Sequence, residues 1–367
     1  MKYKILKTLE EFAEYETVWN DFYKKLENVT PFQSFAWNFH WYKQRYGNHR
    51  LQIIVIYKES PAKPSLIAPT MVDGAGALRF IADGHSDHSA FLMDFGTKRH
   101  VHYEILKTLK KAIEENDAIN ALELKNIDQN DHAAALFVSL LDFKRIMYQS
   151  NAFSYIDLTP KQNFLECFDY MTSKQRSELK RVYKKNGSMR SRIVEKSDGM
   201  PFPKESIETL RDEMIAAGAR DANFMNEKLL GVTEALYEAG LLEVHLLEDE
   251  KGEAVSANLL LHYGKACTKL FWIDLYRDLP FINLSSYLHY IKRMCEEAKE
   301  PFRIDFGRGL YEYKTKNFLP VIEMQYTLYY AKSESGFTKY LLKTNTLMAI
   351  KNFYKRHKST INKVLGR

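Results

Sequence analysis

Apolar and polar residues alternate along the chain with two periods, one typical of helices and one typical of strands. An apolar stripe at helical spacing covers Leu9 to Leu26, and the β-branched run LQIIVIY covers Leu51 to Tyr57. Further strand and helix patterns, including a strand from Ser65 to Val72, alternate up to a strand that ends at Leu158. This alternation predicts an α/β fold with a mixed sheet for residues 1–158.

The second part of the chain repeats this order of elements. Strand patterns separated by the short polar turns EDEKGE and GKA predict an antiparallel meander: Leu242 to Leu247, Ala254 to Tyr263 and Thr268 to Tyr276. A predicted helix from Ser286 to Lys299 then leads into another strand, and a last strand follows. MDFG at Met93 to Gly96 also matches IDFG at Ile304 to Gly307. We therefore expect an internal duplication, with domains at 1–158 and 159–333.

A basic helix is predicted at the start of the second part. The pattern covers Pro160 to Asn186, with Thr159 as its N-cap. Basic residues crowd its second half and the positions just beyond, opposed by Glu178 alone: Lys174, Arg176, Lys180, Arg181, Lys184, Lys185, Arg190 and Arg192. This row is either a solvated face or a surface for an acidic group, because like charges at helical spacing repel unless an anion lies nearby. On the second interpretation, Arg176 and Arg181 are candidates for binding the acceptor or a phosphate.

A basic tail, residues 334–367, ends the sequence. From Ser335 onward it contains lysines and arginines but no acidic residue. Apolar residues recur in it every seven positions and predict an amphipathic helix: Tyr340, Leu347, Tyr354 and Ile361. Such a helix either docks on the protein's own body or lies on an anionic membrane surface.

Composition indicates an ordinary soluble protein. The chain has 367 residues, more than one typical domain, with 45% apolar and 27% charged residues. A formal charge of +6 permits an anionic ligand without requiring nucleic acid. Cys167, Cys267 and Cys295 form no CxxC pair, so we expect reduced, buried thiols rather than a zinc knuckle or a disulfide framework. No signal peptide or membrane-spanning run is visible, which predicts a cytoplasmic protein.

One stretch, Phe302 to Phe318 (FRIDFGRGLYEYKTKNF), concentrates polar chemistry at the end of a predicted strand. Gly307 and Gly309 interrupt the strand, and a glycine pair lets backbone N–H groups approach a ligand. An acid, a guanidinium, a phenol and an ammonium group surround the break: Asp305, Arg308, Tyr313 and Lys314. A loop without a function rarely needs all four, so we expect this stretch to form one wall of a transferase active site.

Two further polar segments are candidates for the same site. Ser285 and Ser286 lie at the start of the predicted helix, where free N–H groups and the helix dipole favour a pyrophosphate, although serine is also an ordinary N-cap residue. The loop GHSDHS, Gly84 to Ser89, brings Asp87 and His88 together. Its spacing does not match that of structural zinc sites, so we expect no metal there and interpret Asp87 and His88 as residues next to a substrate.

The chain resembles the GNAT-type acyltransferases of the CelD-like group, named for a cellulose-biosynthesis protein. The resemblance extends over about residues 30–330 and depends on three segments: DFGRGLYEYK (Asp305 to Lys314), KQR (Lys174 to Arg176) and SDH (Ser86 to His88). It implies a tandem pair of GNAT folds, like that of the Fem-type peptidoglycan transferases, and an acyl-CoA or another activated acyl donor. It also implies an acceptor related to envelope or exopolysaccharide sugars. The usual glycine-rich phosphate loop is replaced here by FINLSS, which leaves the CoA contacts open.

In the reaction that this resemblance implies, an amine attacks a thioester, and the protein positions the reactants, removes a proton and stabilises an oxyanion. We expect Asp305 or Tyr313 near the reacting centre, with Tyr313 protonating the leaving thiolate. Asp305 can instead be structural and fix the loop. Lys314 and Arg308 are expected to hold an anionic group of either substrate, unless Lys314 forms a plain surface salt bridge.

Three functions follow from these patterns. The leading one is an acyl-CoA-dependent N-acyltransferase that acts on an amine of a cell-envelope or polysaccharide-related acceptor. A Fem-type transferase would take an aminoacyl group from tRNA, but the helical-hairpin insertion that those enzymes often carry is not visible between Tyr170 and Met200, so nucleic acid is not the expected partner. The third is a non-catalytic binding protein with a degenerate donor site.

Overall fold

The structure is a computed structural model that describes residues 1–27, 29–142, 144–263 and 268–342. Its strands are β1 (Lys2–Leu6), β2 (Arg50–Leu51), β3 (Ile53–Tyr57), β4 (Pro64–Ala68), β5 (Thr70–Val72), β6 (Ala77–Phe80), β7 (Leu92–Met93), β8 (Ala121–Asp128), β9 (Arg145–Leu158), β10 (Arg190–Val194), β11 (Leu242–Glu248), β12 (Ala254–Tyr263), β13 (Thr268–Tyr276), β14 (Phe302–Arg308) and β15 (Val321–Ala331). Its α-helices are α1 (Leu9–Glu14), α2 (Glu16–Lys25), α3 (Phe35–Trp41), α4 (Arg99–Glu114), α5 (His132–Leu140), α6 (Ser173–Lys185), α7 (Lys204–Ala216), α8 (Glu227–Glu238), α9 (Ile282–Glu297) and α10 (Glu312–Phe318). Short 3₁₀ segments cover Pro31–Gln33, Phe164–Phe168 and Lys196–Asp198, and a π-helical turn covers Tyr42–Tyr46.

Most strands of the described residues join one mixed sheet in the order β10-β11-β12-β13-β14-β9-β15-β8-β6-β5-β2. A smaller sheet has the order β1-β3-β4-β7. The meander predicted for β11, β12 and β13 is confirmed, with antiparallel pairing throughout. The predicted α/β class with mixed, largely antiparallel sheets is therefore confirmed.

The two halves of the chain contain the same unit of five elements. The first unit is β6-α4-β8-α5-β9 and the second is β13-α9-β14-α10-β15; the short strand β7 lies between β6 and α4, belongs to the smaller sheet and has no counterpart among the described residues of the second unit. In each unit a helix connects two parallel strands, β6 with β8 and β13 with β14. The repeated order that we predicted is thus present, but the matching DFG segments do not coincide, since one follows β7 and the other lies in β14.

The last strand of each unit crosses into the other half. β9 pairs with β14, and β15 pairs with both β8 and β9, so the sheet is continuous across the two units. The hydrophobic core is shared as well, because the buried rings of Trp37 and Trp41 on α3 belong to the same cluster as Leu230 on α8 and Leu259 on β12. The domain boundaries at 158/159 and 333/334 stay a prediction, and the two units they separate are interlocked by strands and by core packing.

The prediction of one long helix from Pro160 to Asn186 was wrong. The chain forms a 3₁₀ segment at Phe164–Phe168, and α6 begins only at Ser173. Thr172 is the N-cap: its hydroxyl accepts from the Gln175 N–H, while the Gln175 side chain accepts from the Thr172 N–H. This reciprocal capping box satisfies two N–H groups at once and fixes the helix start there.

Other predicted elements are divided at residues that cannot continue them. The helix expected from Leu9 to Leu26 is two helices that meet at Tyr15, and the strand expected from Ser65 to Val72 is divided into β4 and β5 at Pro69, which has no N–H for the ladder. α10 was expected to be a loop and is a short helix, Glu312–Phe318.

The beginning of the basic tail packs against the sheet. Residues 334–342 are helical, and the ring of Tyr340 stacks on that of Tyr329 on β15, with its hydroxyl 3.2 Å from that of Tyr148 on β9. Of the two alternatives for the tail, Tyr340 therefore follows the first, docking on the protein's own body. The rest of the predicted amphipathic helix, with Leu347, Tyr354 and Ile361, lies outside the described residues.

Candidate active site

The candidate site lies where two parallel strands separate. β13 and β14 are paired only from Thr268 opposite Arg303 to Leu270 opposite Asp305. Beyond that point β13 continues along β12, while β14 continues along β9. The register of β13 with β12 shifts at Trp272, which marks a bulge, and a bulge of this kind bends a strand. The sheet is therefore open between the last residues of these two strands.

A cavity of about 820 Å³ lies next to this opening. Its walls come from α6, the loop after β13, the first turn of α9 and the start of α10. It is lined by Gln175, Glu178, Leu179, Val182, Tyr276, Arg277, Asp278, Leu279, Phe281, Ile282, Asn283, Leu284, Tyr311, Glu312, Tyr313, Lys316 and Asn317. A volume of this size accommodates a small molecule of the size of a cofactor.

The N-terminus of α9 faces this cavity. α9 begins at Ile282, four residues before the predicted Ser286, and Ile282, Asn283 and Leu284 line the cavity. The first turn of a helix leaves its N–H groups without intrahelical partners and carries the positive end of the dipole, so these residues can bind an anion. Phe281 precedes them with a φ of +63°, a strained conformation for a residue with a side chain.

Ser285 and Ser286 do not line the cavity. Both side chains are fully buried, and Ser286 Oγ donates to Asn258 Oδ1 on β12 at 2.5 Å. The helix start was misplaced because its N-cap is Phe281, a residue without a capping side chain. The Ile282 N–H already donates to the Leu279 carbonyl at 3.2 Å, so any phosphate contact of this helix involves the N–H groups of Asn283 and Leu284 rather than the two serine hydroxyls.

Tyr313 connects the cavity to a chain of partly buried hydrogen bonds. Its hydroxyl lies 3.4 Å from that of Tyr287 on α9, which donates to Asp274 Oδ2 on β13 at 2.5 Å. Asn258 Nδ2 donates to the other oxygen of Asp274 at 2.8 Å. Burial, followed by the charge of Asp274, raises the pKa of the Tyr313 phenol, so Tyr313 is a proton donor at neutral pH.

Lys314 is buried behind Tyr313 and does not form a surface salt bridge. Its Nζ donates to the carbonyl of Phe306 and lies 3.4 Å from the carbonyl of Arg308, so it holds the end of β14. Burial lowers the pKa of Lys314, and the nearby charges of Asp87 and other carboxylates oppose this effect. Lys314 therefore holds the backbone at one side of the opening in place and does not face the cavity.

Asp305 and His88 connect the two halves of the chain. His88 Nδ1 lies 2.9 Å from Asp128 at the end of β8, and its Nε2 lies 3.0 Å from Asp305 on β14. Burial lowers the pKa of His88, but the charges of Asp128 and Asp305 and their hydrogen bonds outweigh burial and raise this pKa well above its ordinary value. Asp305 Oδ1 also accepts from the Gly307 N–H at 2.7 Å, so this carboxylate fixes the glycine turn, as one of our two interpretations expected.

Arg308 and Asp87 belong to the same junction and not to the cavity wall. Arg308 Nη2 donates to the Gly84 carbonyl at 2.8 Å, and its Nε lies 3.7 Å from Asp87. These contacts tie the loop Gly84–Ser89 to the end of β14. Burial raises the pKa of Asp87, and Arg308 and His88 oppose this shift.

The equivalent opening in the first unit is occupied by this same loop. β6 and β8 are parallel only at Ala77–Leu78 and then separate. The side-chain amide of Asn126 on β8 donates to the carbonyls of Asp83 and Ser86, and His88 reaches Asp128. The loop therefore closes the first opening, whereas the second adjoins a cavity.

The two arginines of α6 have different surroundings. Arg176 donates to the carbonyls of Phe168 (3.3 Å), Asp169 (3.4 Å) and Met171 (2.7 Å), and so caps the preceding 3₁₀ segment. Arg181 is at the rim of the cavity: it forms two hydrogen bonds with Glu178, and its guanidinium lies 5.3 Å from the ring centre of Phe281. Lys185 lies 4.9 Å from the same ring. Cationic groups thus border the cavity beside the N-terminus of α9.

Sequence reasoning missed several polar residues of this region. Asp274, Tyr287, Asn258 and Asp128 were not predicted. Asp274 and Asn258 are single polar residues inside the apolar strands LFWIDLY and ANLLL. A buried polar side chain needs a hydrogen-bond partner. The isolated positions of Asp274 and Asn258 within apolar strands were therefore the sequence signal from which a buried polar network could have been predicted.

The sequence matches no protein-family model and no curated protein. Solved structures are similar in fold. A conserved protein of unknown function from Bacteroides thetaiotaomicron has a TM-score of 0.60 and 14% identity over 90% of this chain and 100% of that chain. FemX has a TM-score of 0.57 and 13% identity over 89% of this chain and 97% of that chain. The C-terminal domain of a proposed lysylphosphatidylglycerol synthetase from Agrobacterium fabrum has a TM-score of 0.57 and 11% identity over 92% of this chain and 96% of that chain.

At these identities the likeness shows the fold alone. It confirms the expected fold, a tandem GNAT-like arrangement that the chain shares with FemX and with the synthetase domain. The chain thus has a GNAT-like fold with one open and one closed unit. The narrower CelD-like group stays a prediction.

Two negative findings apply to the residues that the structure describes. Within them, no group of three or more histidine, cysteine, aspartate or glutamate side chains is arranged to hold a metal ion. Over the same part of the chain, no helix combines the length and the apolar character that crossing a membrane requires.

Proposed function

We propose that the protein is an acyltransferase that moves an acyl group from acyl-CoA to an amine and that the donor binds in the 820 Å³ cavity. The observation that carries this proposal is the joint position of the α9 N-terminus and Tyr313 on one cavity wall beside separated parallel strands. The helix end suits the pyrophosphate of the donor, because its N–H groups and dipole favour anions. Arg181 and Lys185 add positive charge at the rim.

The reaction requires few groups from the protein. The thioester carbonyl lies in the opening between β13 and β14, and the amine approaches from the side opposite the donor. Tyr313 protonates the leaving thiolate, which suits a buried phenol that stays protonated at neutral pH. Lys314 and Asp305 keep the end of β14 in the geometry that the reaction needs, and residues 159–333 carry the donor site.

The acceptor is an amine of a cell-envelope or polysaccharide-related molecule. The support for this part is the sequence resemblance, together with the basic tail, which would bring the protein to an anionic membrane surface. Asp87 and His88 are proposed to shape the acceptor side by holding the loop Gly84–Ser89 against β14.

Calorimetric titration with acyl-CoAs of different chain length tests the proposal. Leu284→Trp places an indole in the cavity and should weaken binding by about tenfold or more. Val321→Trp is the matched control, since Val321 is half-exposed on β15 and does not line the cavity. If no acyl-CoA binds, or if Leu284→Trp binds as well as the control, the donor assignment is wrong and a non-catalytic role becomes the better hypothesis.

A second candidate donor is aminoacyl-tRNA. The similarity in fold to FemX and the basic residues of α6 favour it. Binding of tRNA would weaken steeply with salt, with a slope of about −0.7 in log K against log salt for each phosphate contacted. Titration of unacylated tRNA at several salt concentrations, with Arg181→Gln and Lys185→Gln as variants, separates the two donors, because CoA carries far fewer phosphates.

A further inference from the structure

Asp274 occupies the middle of the hydrogen-bond chain that begins at the cavity. It lies on β13 and is partly exposed, and its two oxygens accept from Tyr287 at 2.5 Å and from Asn258 at 2.8 Å. Asn258 is itself fixed, because its Oδ1 accepts from Ser286 at 2.5 Å and lies 3.1 Å from His245 Nδ1. The carboxylate is therefore held in one orientation, which a catalytic group requires.

The groups that face Asp274 come from several elements. Tyr287 belongs to α9, Tyr313 and Lys314 to α10, Asn258 to β12, and Arg220 to the loop before α8. Burial raises the pKa of Asp274, while the hydrogen bonds and the two cations oppose the rise without cancelling it. A carboxylate shifted in this direction accepts a proton more readily near neutral pH than an ordinary aspartate does.

We propose that Asp274 is the general base of the transfer reaction and that Tyr287 couples it to Tyr313, the general acid. This inference rests on the proposed function. Its geometric basis is that a carboxylate and a cavity-lining phenol are joined through one buried hydroxyl, at 2.5 Å and 3.4 Å. The attacking amine must lose a proton and the leaving thiolate must gain one, so a base and an acid connected in this way return to their starting states after each turnover.

The proton balance of the step closes within these three side chains. The nitrogen of the neutral amine forms a bond to the acyl carbon, and the carbon–sulfur bond breaks with its electron pair on sulfur. The nitrogen proton passes to Asp274, and the phenol proton of Tyr313 passes to sulfur. Tyr287 then gives its proton to the Tyr313 phenolate and receives the proton that Asp274 holds. No further reactant is required.

Steady-state kinetics of the full-length chain test this assignment. The probe is the acyl-CoA that binds best by calorimetry, with a panel of alkyl amines and with hydroxylamine as nucleophiles, and free thiol release is measured against pH. Asp274→Asn should lower kcat about 10²- to 10⁴-fold, leave KM for the acyl-CoA unchanged and remove the acidic limb of the pH profile. Transfer to hydroxylamine, a weakly basic nucleophile, should fall least. Asp212→Asn on the surface of α7 is the control and should behave as wild type.

Tyr287→Phe tests the coupling between Asp274 and Tyr313 with a change too small to unfold the protein. It removes one hydroxyl and should lower kcat while the acidic limb of Asp274 remains, since the base is still present. If Asp274→Asn is folded and keeps the wild-type kcat and pH profile, or if Tyr287→Phe is fully active, the inference is wrong although the chain is an acyltransferase. If the wild type transfers no acyl group to any amine, the proposed function fails, and this inference fails with it.

Discussion

Gly307 packs directly against the carboxylate of Asp87, across the junction between the two halves of the chain. Its φ is +66°, and a Cβ at this position would overlap Asp87 Oδ2. Two independent conditions therefore require glycine here, the left-handed backbone and the occupied space. The N–H of Gly307 also donates a hydrogen bond to the carboxylate of Asp305. The end of β14 and the loop of the first unit thus determine each other's conformation.

Gly307→Ala should destabilise the protein by about 2–5 kcal/mol, the sum of left-handed strain and overpacking. Gly199→Ala is the matched control: Gly199 has a φ of +71°, but no described atom lies within 4 Å of its Cβ position. It should lose about 1–2 kcal/mol from backbone strain alone. Urea unfolding of both variants measures the difference, and equal losses would show that Asp87 does not occupy the space beside Gly307.

A double-mutant cycle isolates the contact between these two residues. Asp87→Ala removes the carboxylate that the new methyl group would meet, so Gly307→Ala should be less harmful in that background. The coupling should amount to about 0.5–3 kcal/mol, as for other residues in contact. Additive losses would assign the whole effect of Gly307→Ala to backbone strain.

Lys314→Met should lower the free energy of unfolding by about 1–3 kcal/mol, because the buried carbonyl of Phe306 loses its donor while the apolar stem is kept. It should also abolish acyl transfer, since the end of β14 forms one side of the opening. Lys111→Met on α4 is the control: its side chain is 65% exposed, pairs with Glu115 on the surface and does not line the cavity, so its stability should change by less than about 0.5 kcal/mol. Urea unfolding and thiol release measure both effects, and an active, fully stable Lys314→Met would remove Lys314 from the site.

Elements with a strong local pattern could be predicted from the sequence. β12 and β13 were predicted with the bounds that the structure gives, because largely apolar runs of this length flanked by turn residues admit few alternatives. α10 was missed since EYKTKNF is short and polar, and its helicity depends on Phe318 and Lys314 being buried against the body of the protein. The start of α9 was misplaced because Phe281 gives no capping signal.

The arrangement of the site could be predicted only in part. The glycine pair does lie at the end of β14, but of the four polar residues predicted around it only Tyr313 lines the cavity. The crossing of β9 and β15 between the two units depends on pairing between distant segments, which no local pattern encodes. For that reason the sequence did not reveal that Asp305 meets His88 or that Arg308 binds the loop of the other half.

Cys167 and Cys295 should resist alkylation in the folded protein. Both side chains are buried, and their Sγ atoms lie 2.7 Å apart between the 3₁₀ segment and the last turn of α9. Burial raises the pKa of the Cys295 thiol, so little of the reactive thiolate forms at neutral pH. Mass spectrometry after iodoacetamide treatment should show no label on either residue in buffer and full labelling in guanidinium chloride. A Cys267→Ser background removes the signal of the third cysteine, and rapid labelling of the native chain would contradict the burial.

His88→Gln tests the charged bridge between the halves through pH. The pKa of His88 is raised in the folded state, so its contribution to stability is fully present below its unfolded pKa of about 6.5 and is lost as pH rises through the folded value. The variant removes the imidazolium between the carboxylates of Asp128 and Asp305 and should lose about 3–5 kcal/mol at low pH. The difference from wild type should therefore be largest below about pH 6.5 and shrink above it. Arg303→Gln breaks a more exposed pair with Asp157 and should show a small difference at every pH. A His88→Gln difference that grows with pH would mean that this histidine is neutral in the folded protein.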